Sequence, residues 1–155
     1  MDYGLVMALM GAALAASLGG AGSAFGVAIA GKAAAGVLSE KPELYGKTLL
    51  LQALPGTQGI YGFLVAVLIL VKIGLLGGAA TPLTAYQGFA FLAASIPIAI
   101  TGLASGIYQG KTAAASILMT AKDPSLSTRG MIMTALVETY AILGLLVSIL
   151  IWFAL

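Results

Sequence analysis

Four long apolar stretches, separated by short polar connections, make up nearly the whole chain. Their lengths predict helices over four segments, at residues 3–38, 44–76, 84–121 and 128–155. Because about 20 helical residues cross a bilayer, we expect some of the first three helices to project beyond the lipid. Pro55 interrupts the second helix, Pro97 lies inside the third, and residues 77–83 are predicted to form a turn. The pattern is that of an all-α membrane protein with four transmembrane helices.

The second half of the chain repeats the first half. The shift that superposes Pro42 on Pro124 also superposes Lys47 on Arg129, Thr57 on Thr139 and Gly62 on Gly144. Lys32 pairs with Lys111 at a slightly smaller shift, which predicts that the second connection is three residues longer than the first. Such internal similarity predicts two tandem helical hairpins, residues 1–78 and 79–155, arranged as a parallel repeat.

Glu138 is the one charged residue between Met131 and Leu155, in the middle of the fourth helix. A charge at the centre of a bilayer costs at least about 2.5–3.5 kcal/mol, so such a residue is usually functional and usually has a partner. Gly56 occupies the matching place in the first hairpin. The sequence therefore predicts one working carboxylate, carried by the second hairpin.

Composition excludes several classes of protein. The chain is 61% hydrophobic and only 8% charged, whereas a soluble domain is about 25% charged. The absence of Cys and His excludes disulfides, thiol chemistry and the commonest proton shuttle. The net charge of +2 gives no reason to expect nucleic-acid binding. Asp2 precedes the first apolar run without a basic residue, so we do not expect signal-peptide cleavage. With no carboxylate pair inside the membrane, nothing supports a membrane enzyme.

Basic residues are concentrated in two of the three connections. Only Lys72 lies near the second connection. The other six lie in or beside the first and third connections, and they are Lys32, Lys41, Lys47, Lys111, Lys122 and Arg129. Because cytoplasmic loops carry an excess of Lys and Arg, these two connections are predicted to face the cytoplasm. Both termini are then on the opposite side of the cell membrane.

Small residues mark the faces on which the helices pack closely. The first helix contains Gly22 and Gly26, spaced as Gly-x-x-x-Gly, and its other small residues spread around most of its circumference. Small residues let helix backbones approach, although packing within one chain explains any single pair as well. The spread predicts a helix enclosed by neighbours on many sides, as in a tight oligomer.

Three polar side chains fall at one depth in the membrane. Gln58 follows Pro42 by about four helical turns, Glu138 follows Pro124 by about four turns, and Gln109 precedes Pro124 by about the same distance. At about 1.5 Å per residue, each is about 21–24 Å from its connection. In an antiparallel bundle these side chains can therefore share a layer.

A carboxylate, two amides and a hydroxyl at one depth form an oxygen cage. Thr57 and Tyr61 are one turn apart and can share a helix face. A proton carrier needs only the carboxyl of Glu138, whereas an alkali cation needs several oxygens to replace its water. The chemistry therefore favours Na⁺, with H⁺ as the alternative. In a competing interpretation, Gln58, Gln109 and Thr57 only form hydrogen bonds between helices.

Pro55 adds a backbone feature to this layer. It removes the hydrogen bond to the carbonyl of Leu51 and crowds the helix there, and Gly56 loosens the backbone further. The kink frees carbonyl oxygens that an ion could use, although a plain packing kink is equally consistent with the sequence. Plain packing is favoured for Pro97, which has no polar cluster beside it.

Three separated motifs resemble one family of proteins. They are LPGTQGIYGF at residues 54–63, QGK at residues 109–111 and VETYAILG at residues 137–144. These motifs resemble the membrane-rotor proteolipids of V-type ATPases, in particular the bacterial four-helix form, subunit K, of sodium-pumping members. The resemblance covers essentially the whole chain.

The resemblance implies a non-catalytic subunit and a set of partners. Identical subunits would form a ring in the lipid, beside a stator subunit with an essential Arg and attached to a central stalk on the cytoplasmic side. ATP hydrolysis would rotate the ring and move Na⁺ across the membrane, with no organic cofactor. The implied sodium ligands are the carbonyl of Leu54, the hydroxyl of Thr57, the side-chain oxygens of Gln58 and Gln109, and the carboxylate of Glu138, with Tyr61 bonding to Glu138 and closing the site.

Two other interpretations are weaker. The nearest alternative is the same ring subunit with H⁺ as its cargo, in which the neutral oxygens are structural. A stand-alone secondary transporter or channel is a lesser alternative, because it predicts charged groups in both halves of the repeat. Gly56, which matches Glu138, speaks against that class.

Overall fold

Helices account for most of the chain in the computed structural model, which describes residues 2–78 and 82–155. The helices are α1 (Tyr3–Glu40), α2 (Tyr45–Ala53), α3 (Thr57–Lys72), α4 (Ala85–Lys122) and α5 (Ser127–Ala154). Four segments are long and apolar enough to cross a membrane, at Tyr3–Glu40, Pro42–Lys72, Ala85–Lys122 and Pro124–Ala154. The predicted all-α fold with four apolar spans is confirmed.

The helices begin and end close to the predicted residues, except at the end of the second span. α3 ends at Lys72, before the predicted end at residue 76. The chain turns at Gly74, whose φ of 79° lies in the left-handed region that favours glycine. Within the predicted turn at 77–83, residues 79–81 lie outside the described residues. α4 then begins with a capping box in which Thr84 and Gln87 bond each other's backbone N–H groups.

The two hairpin connections are built in the same way. Each is a single residue followed by a 3₁₀ turn, at Pro42–Leu44 in the first hairpin and at Pro124–Leu126 in the second. Proline disfavours a helical conformation in the residue before it, so both helices end at equivalent places. α1 and α4 each have 38 residues. The prediction of a longer second connection is therefore wrong, because Lys32 and Lys111 lie inside helices at positions that are not equivalent.

α1 and α4 run parallel to each other in close contact. Gly4 lies against Gly88 near their first turns, and Gly22 lies against Gly106 further along. A methyl group placed on Gly106 would lie 2.5 Å from the carbonyl carbon of Gly22. Small residues therefore allow an approach that larger side chains would prevent, and they join the two hairpins side by side.

A buried polar layer divides the apolar interior. α3 packs against α1, and α5 packs against α4. One apolar cluster includes Ile98 of α4, and a second cluster includes Ile117 of the same helix. Gln109 lies between them along α4 and is fully buried. The predicted site residues lie in this layer.

Pro97 is used in the packing of α4 against α5. The N–H of Ile98 donates to the hydroxyl of Ser148 on α5 at 3.1 Å, and the hydroxyl of Thr101 donates to the Pro97 carbonyl at 2.8 Å. Gly144 of α5 leaves room for Thr101, because a methyl group there would lie 2.9 Å from the Thr101 Cβ. These contacts agree with the packing interpretation of this proline.

Candidate ion-binding site

The second span is broken where the predicted site begins. Leu54–Gly56 form a 3₁₀ turn between α2 and α3. The Leu54 carbonyl accepts hydrogen bonds from the backbone N–H of Thr57 and, at 3.2 Å, from the Thr57 hydroxyl. An uninterrupted α-helix would direct this carbonyl to the N–H of Gln58. The tighter turn thus brings the oxygen atoms of Leu54 and Thr57 together.

Two fully buried glutamines lie next to this turn, Gln58 on α3 and Gln109 on α4. The side-chain N–H group of Gln58 donates to Gln109 Oε1 and, at 3.0 Å, to the hydroxyl of Ser105. Gln109 Nε2 donates to the carbonyl of Thr134 at 3.3 Å. Among the described residues, every buried side-chain nitrogen and oxygen has a hydrogen-bond partner. The layer therefore meets the requirement that buried polar groups be satisfied.

Glu138 on α5 is partly buried and has one partner on each carboxylate oxygen. The hydroxyl of Tyr61 donates to Oε1 at 2.5 Å, and Gln109 Nε2 donates to Oε2 at 3.4 Å. Hydrogen bonds to an ionised group are roughly twice as strong as those between neutral groups. The carboxylate is therefore held by α3 and α4 as well as by its own helix.

A continuous series of hydrogen bonds and polar contacts links all six predicted residues. Within α3, the Thr57 hydroxyl also lies 3.5 Å from Gln58 Oε1. These contacts run in order through Leu54, Thr57, Gln58, Gln109, Glu138 and Tyr61. The structure thus brings together residues as distant in the sequence as Leu54 and Glu138. Their role in binding a cation stays a prediction.

Three further residues take part in this layer, although the sequence analysis did not assign them to the site. Ser105 and Thr134 bond to the two glutamines, and the Ser23 hydroxyl of α1 accepts the backbone N–H of Gly59 at 2.7 Å. Two signals in the sequence point to them. Ser105 and Thr134 each precede a predicted site residue by about one helical turn. Ser23 coincides with Ser105 at the shift that superposes the two hairpins.

The sequence of each of the two hairpins matches a known family. The family model for the ATP synthase C subunit matches the chain twice, at residues 10–69 and at residues 92–151. The chain belongs to the ATP synthase C-subunit family. The same shift that superposes Pro42 on Pro124 relates the two matches, so each hairpin is one copy of the family unit.

Similar proteins come from bacterial, archaeal and animal members of the family. The chain is 49% identical to the V-type sodium ATPase subunit K of Enterococcus hirae, over 97% of this chain and 96% of that protein. It is 40% identical to the A-type ATP synthase subunit K of Methanocaldococcus jannaschii, over 94% of this chain and 61% of that protein. It is 31% identical to the 16 kDa proteolipid of the V-type proton ATPase of Nephrops norvegicus, over 97% of this chain and 92% of that protein. The predicted family is confirmed, and the protein is a non-catalytic V-type ATPase proteolipid rather than a stand-alone transporter or channel.

The first copy of the family unit has no counterpart of the carboxylate. At the shift that superposes the hairpins, Gly56 matches Glu138 and Val27 matches Gln109. A methyl group on Gly56 would lie 3.9 Å from Val27 Cγ2, so these two positions face each other. The first hairpin therefore has an apolar contact where the second has a carboxylate and an amide. Of the two copies in the proteolipid, the second carries this pair of polar side chains.

The polar layer of this proteolipid carries a single formal negative charge. Among the described residues, no group of three His, Cys, Asp or Glu side chains comes together. The remaining oxygen atoms of the layer belong to neutral hydroxyl, amide and carbonyl groups. A monovalent cation would neutralise Glu138, whereas a divalent cation would leave a positive charge buried at an unfavourable depth. The layer therefore suits a monovalent ion.

Proposed function

We propose that this subunit binds Na⁺ at mid-membrane and carries it across as part of a rotating ring that ATP hydrolysis drives. One observation carries the proposal: a continuous series of polar contacts joins Leu54, Thr57, Gln58, Gln109 and Glu138, each of which has an oxygen atom that can bind a cation. An alkali cation needs several oxygens to replace its water, whereas a proton needs one. The relative from Enterococcus hirae, named as a sodium ATPase subunit, supports the same cargo.

Each residue of the site has a distinct role in this proposal. The Glu138 carboxylate supplies the negative charge that balances Na⁺. Four neutral oxygens complete the coordination, and they are the Leu54 carbonyl, the Thr57 hydroxyl and the side-chain oxygens of Gln58 and Gln109. The Tyr61 hydroxyl, 2.5 Å from the carboxylate, orients Glu138 and closes the site from the side.

The occupancy of the site determines whether it can face lipid. Na⁺ with the ionised Glu138 is a nearly neutral and coordinated unit. An empty site is an anion, which costs at least about 2.5–3.5 kcal/mol at the bilayer centre. An Arg of a neighbouring stator subunit would stabilise the empty anion and displace the ion. The ring therefore turns only when the sites away from the stator are filled.

Identical subunits are the proposed neighbours of the exposed apolar faces. Large apolar side chains of α5 are more than half exposed in the single chain, among them Leu136 at 61% and Leu150 at 67%. Inside a membrane such side chains contact lipid or an adjacent helix. A central-stalk subunit bound to the cytoplasmic end of the ring would couple rotation to ATP hydrolysis.

We place both hairpin connections in the cytoplasm and both termini on the other side of the cell membrane. The Lys41 ammonium donates to the carbonyl of Ala121 at 2.5 Å, and that of Lys47 donates to the carbonyl of Pro124 at 2.9 Å. These bonds join the two connections at one end of the bundle. Four of the seven basic residues, Lys41, Lys47, Lys122 and Arg129, lie at or next to these connections, which agrees with the positive-inside rule for a cytoplasmic end. Each proposed hairpin unit, 1–78 and 79–155, contributes one connection.

Carbodiimide labelling of Glu138 tests the proposed cargo. Membranes with the assembled complex are treated with dicyclohexylcarbodiimide at fixed pH and rising Na⁺, and labelled Glu138 is counted by mass spectrometry. We expect Na⁺ to protect Glu138 and K⁺ at the same ionic strength not to protect it. Binding of ²²Na⁺ to the purified ring, with Glu138→Gln as the control, measures the site directly. Labelling that does not respond to Na⁺, together with no bound ²²Na⁺, would refute the sodium site.

A proton-carrying ring is the second candidate function. The family includes proteins named as proton ATPase subunits, and one of them is 31% identical to this chain. In that case Glu138 alone carries the ion, and the two glutamines only hold helices together. Labelling would then follow pH and not Na⁺, and Gln109→Ala would leave the labelling profile unchanged in any assembled ring.

A further inference from the structure

Ser105 is buried beside Gln58, and its one hydroxyl hydrogen is already donated elsewhere. Its side chain is 5% exposed. Its hydroxyl donates to the carbonyl of Val137 at 3.1 Å. A serine hydroxyl has one hydrogen to donate and two lone pairs that accept. Towards Gln58, at 3.0 Å, Ser105 is therefore an acceptor only.

Because Ser105 can only accept a hydrogen bond from Gln58, it determines which end of the Gln58 amide faces it. Only the NH₂ group of an amide can donate, so it points to Ser105, and its second hydrogen is used by Gln109 Oε1. Gln109 is oriented in the same way, because its Nε2 donates to the carbonyl of Thr134 at 3.3 Å. Two backbone carbonyls of α5 therefore set the orientation of both amides.

The oxygen of Gln58 is left on the opposite side of the amide. It lies 3.5 Å from the hydroxyl of Thr57, within the proposed ligand set. If the amide rotated by half a turn, its NH₂ group would point at the cation instead. A donor in that position opposes a positive charge and supplies no lone pair.

We propose that Ser105 is a positioning residue that keeps the Gln58 oxygen directed at the bound cation. The proposal rests on the proposed function, since it concerns the same site. Ser105 itself does not bind the ion. It makes one orientation of the Gln58 amide favourable. Because its hydroxyl also donates to the Val137 carbonyl, Ser105 links α5 to Gln58 on α3.

Two substitutions remove this effect in different ways. Ser105→Ala removes the acceptor, and Ser105→Cys keeps the shape of the side chain, with a slightly larger atom that is a weaker acceptor. One neutral hydrogen bond corresponds to about a tenfold change in an equilibrium constant. We therefore expect both variants to need about 5- to 10-fold more Na⁺ for half-protection of Glu138. Ser95→Ala is the matched control, because Ser95 is also buried on α4 but bonds only to the Leu92 carbonyl of its own helix.

The measurement is carbodiimide labelling of Glu138 in membranes with the assembled complex, with and without Na⁺. Without Na⁺, labelling across pH reports the protonation of Glu138, which does not need the Gln58 oxygen. We expect the Ser105 variants to keep this pH profile while their Na⁺ protection shifts. A general structural defect would change both measurements.

The outcomes separate this inference from the proposed function. Unchanged Na⁺ protection in both Ser105 variants would overturn the role of Ser105, and an equal shift in Ser95→Ala would do so too. Because Ser105→Cys keeps a polar atom at the same place on the side chain, it decides the matter if Ser105→Ala does not assemble. A wild-type complex without Na⁺ protection would instead refute the sodium site, on which this inference depends.

Discussion

Replacing Gly106 with alanine would push α4 away from α1 at the level of the proposed site. The added methyl group would lie 2.5 Å from the carbonyl carbon of Gly22, 2.6 Å from its oxygen and 2.9 Å from the backbone nitrogen of Ser23. All three are backbone atoms, so no side chain can rotate to make room. The two helices must separate instead.

The size of the separation follows from ordinary contact distances. A methyl carbon is in ordinary contact at 3.4–4 Å, so the closest contact must lengthen by about 0.9 Å. Ser105 lies next to Gly106 on α4, while Gln58 is on α3, which packs against α1. A movement of this size would lengthen the 3.0 Å bond between them to about 3.9 Å, beyond hydrogen-bond distance. Overpacking of this kind costs about 1–3 kcal/mol of stability.

Two measurements on the purified ring check this prediction. Gly106→Ala should lower the temperature at which the ring dissociates in detergent, and it should weaken ²²Na⁺ binding by about tenfold through the lost hydrogen bond. Gly20→Ala is the control on α1, because within a single subunit no heavy atom of another described helix lies within 4 Å of its methyl position. Alanine is a better helix former than glycine by about 1 kcal/mol, so the control should be at least as stable as the wild type.

One result would refute the reasoning. If Gly106→Ala matches the wild type in both ring stability and Na⁺ binding, the close approach of α1 and α4 does not set the geometry of the site. Loss of stability with unchanged Na⁺ binding would show that the packing and the site are independent.

Three further predictions concern other contacts. Gln109→Ala should weaken ²²Na⁺ binding more than ring assembly, because it removes a proposed ligand that also bonds to Glu138. Trp152→Phe should lower the ring dissociation temperature by the equivalent of about 1 kcal/mol, since it removes the bond from the indole N–H to the Leu68 carbonyl at 3.1 Å. Asp123→Asn should reduce the loss of ring stability on acidification below about pH 4, because hydrogen bonds from the side chain and backbone of Ser125 lower the pKa of Asp123.

The sign of the pH effect follows from the lowered pKa. A carboxyl group with a lower pKa in the folded protein stabilises it at pH values above the pKa of the unfolded chain. That contribution disappears as the pH falls through the folded pKa. An acid profile of Asp123→Asn that superposes on the wild type would contradict this assignment. Equal losses of assembly and Na⁺ binding in Gln109→Ala would make that residue structural, and an unchanged Trp152→Phe ring would show that the indole bond is dispensable.

Periodic features of the sequence predicted most of the fold. The four spans follow from the lengths of the apolar stretches, and Pro42 and Pro124 mark the ends of α1 and α4. The error in the second connection came from pairing Lys32 with Lys111 on residue type alone. Charged side chains near a membrane surface tolerate a shift along the helix, whereas prolines fix the backbone at a definite residue.

The six proposed site residues were identified by depth and by motif, but apart from the bond between Tyr61 and Glu138, which the resemblance implied, their connections were not. A lone carboxylate in an apolar helix needs partners, and counting residues from the turns found two amides at its level. The sequence analysis did not identify the supporting residues Ser23, Ser105 and Thr134, because small hydroxyl residues are common at packed helix faces. Their role depends on the direction of each hydrogen bond, which the sequence does not contain.

Sequence alone is enough to specify an all-α membrane protein with a duplicated hairpin and a carboxylate in the middle of its last apolar span. These properties depend on composition and on spacing along a helix, which are local. The folded chain was needed to show that Leu54–Gly56 form a 3₁₀ turn and that the Leu54 carbonyl bonds to Thr57 in this layer. The bond between Ser105 and Gln58 also required the folded chain, whereas the bond from Tyr61 to Glu138 was already implied by the family resemblance. Those contacts depend on how closely α1 and α4 approach, and that distance is set by glycine pairs from both hairpins.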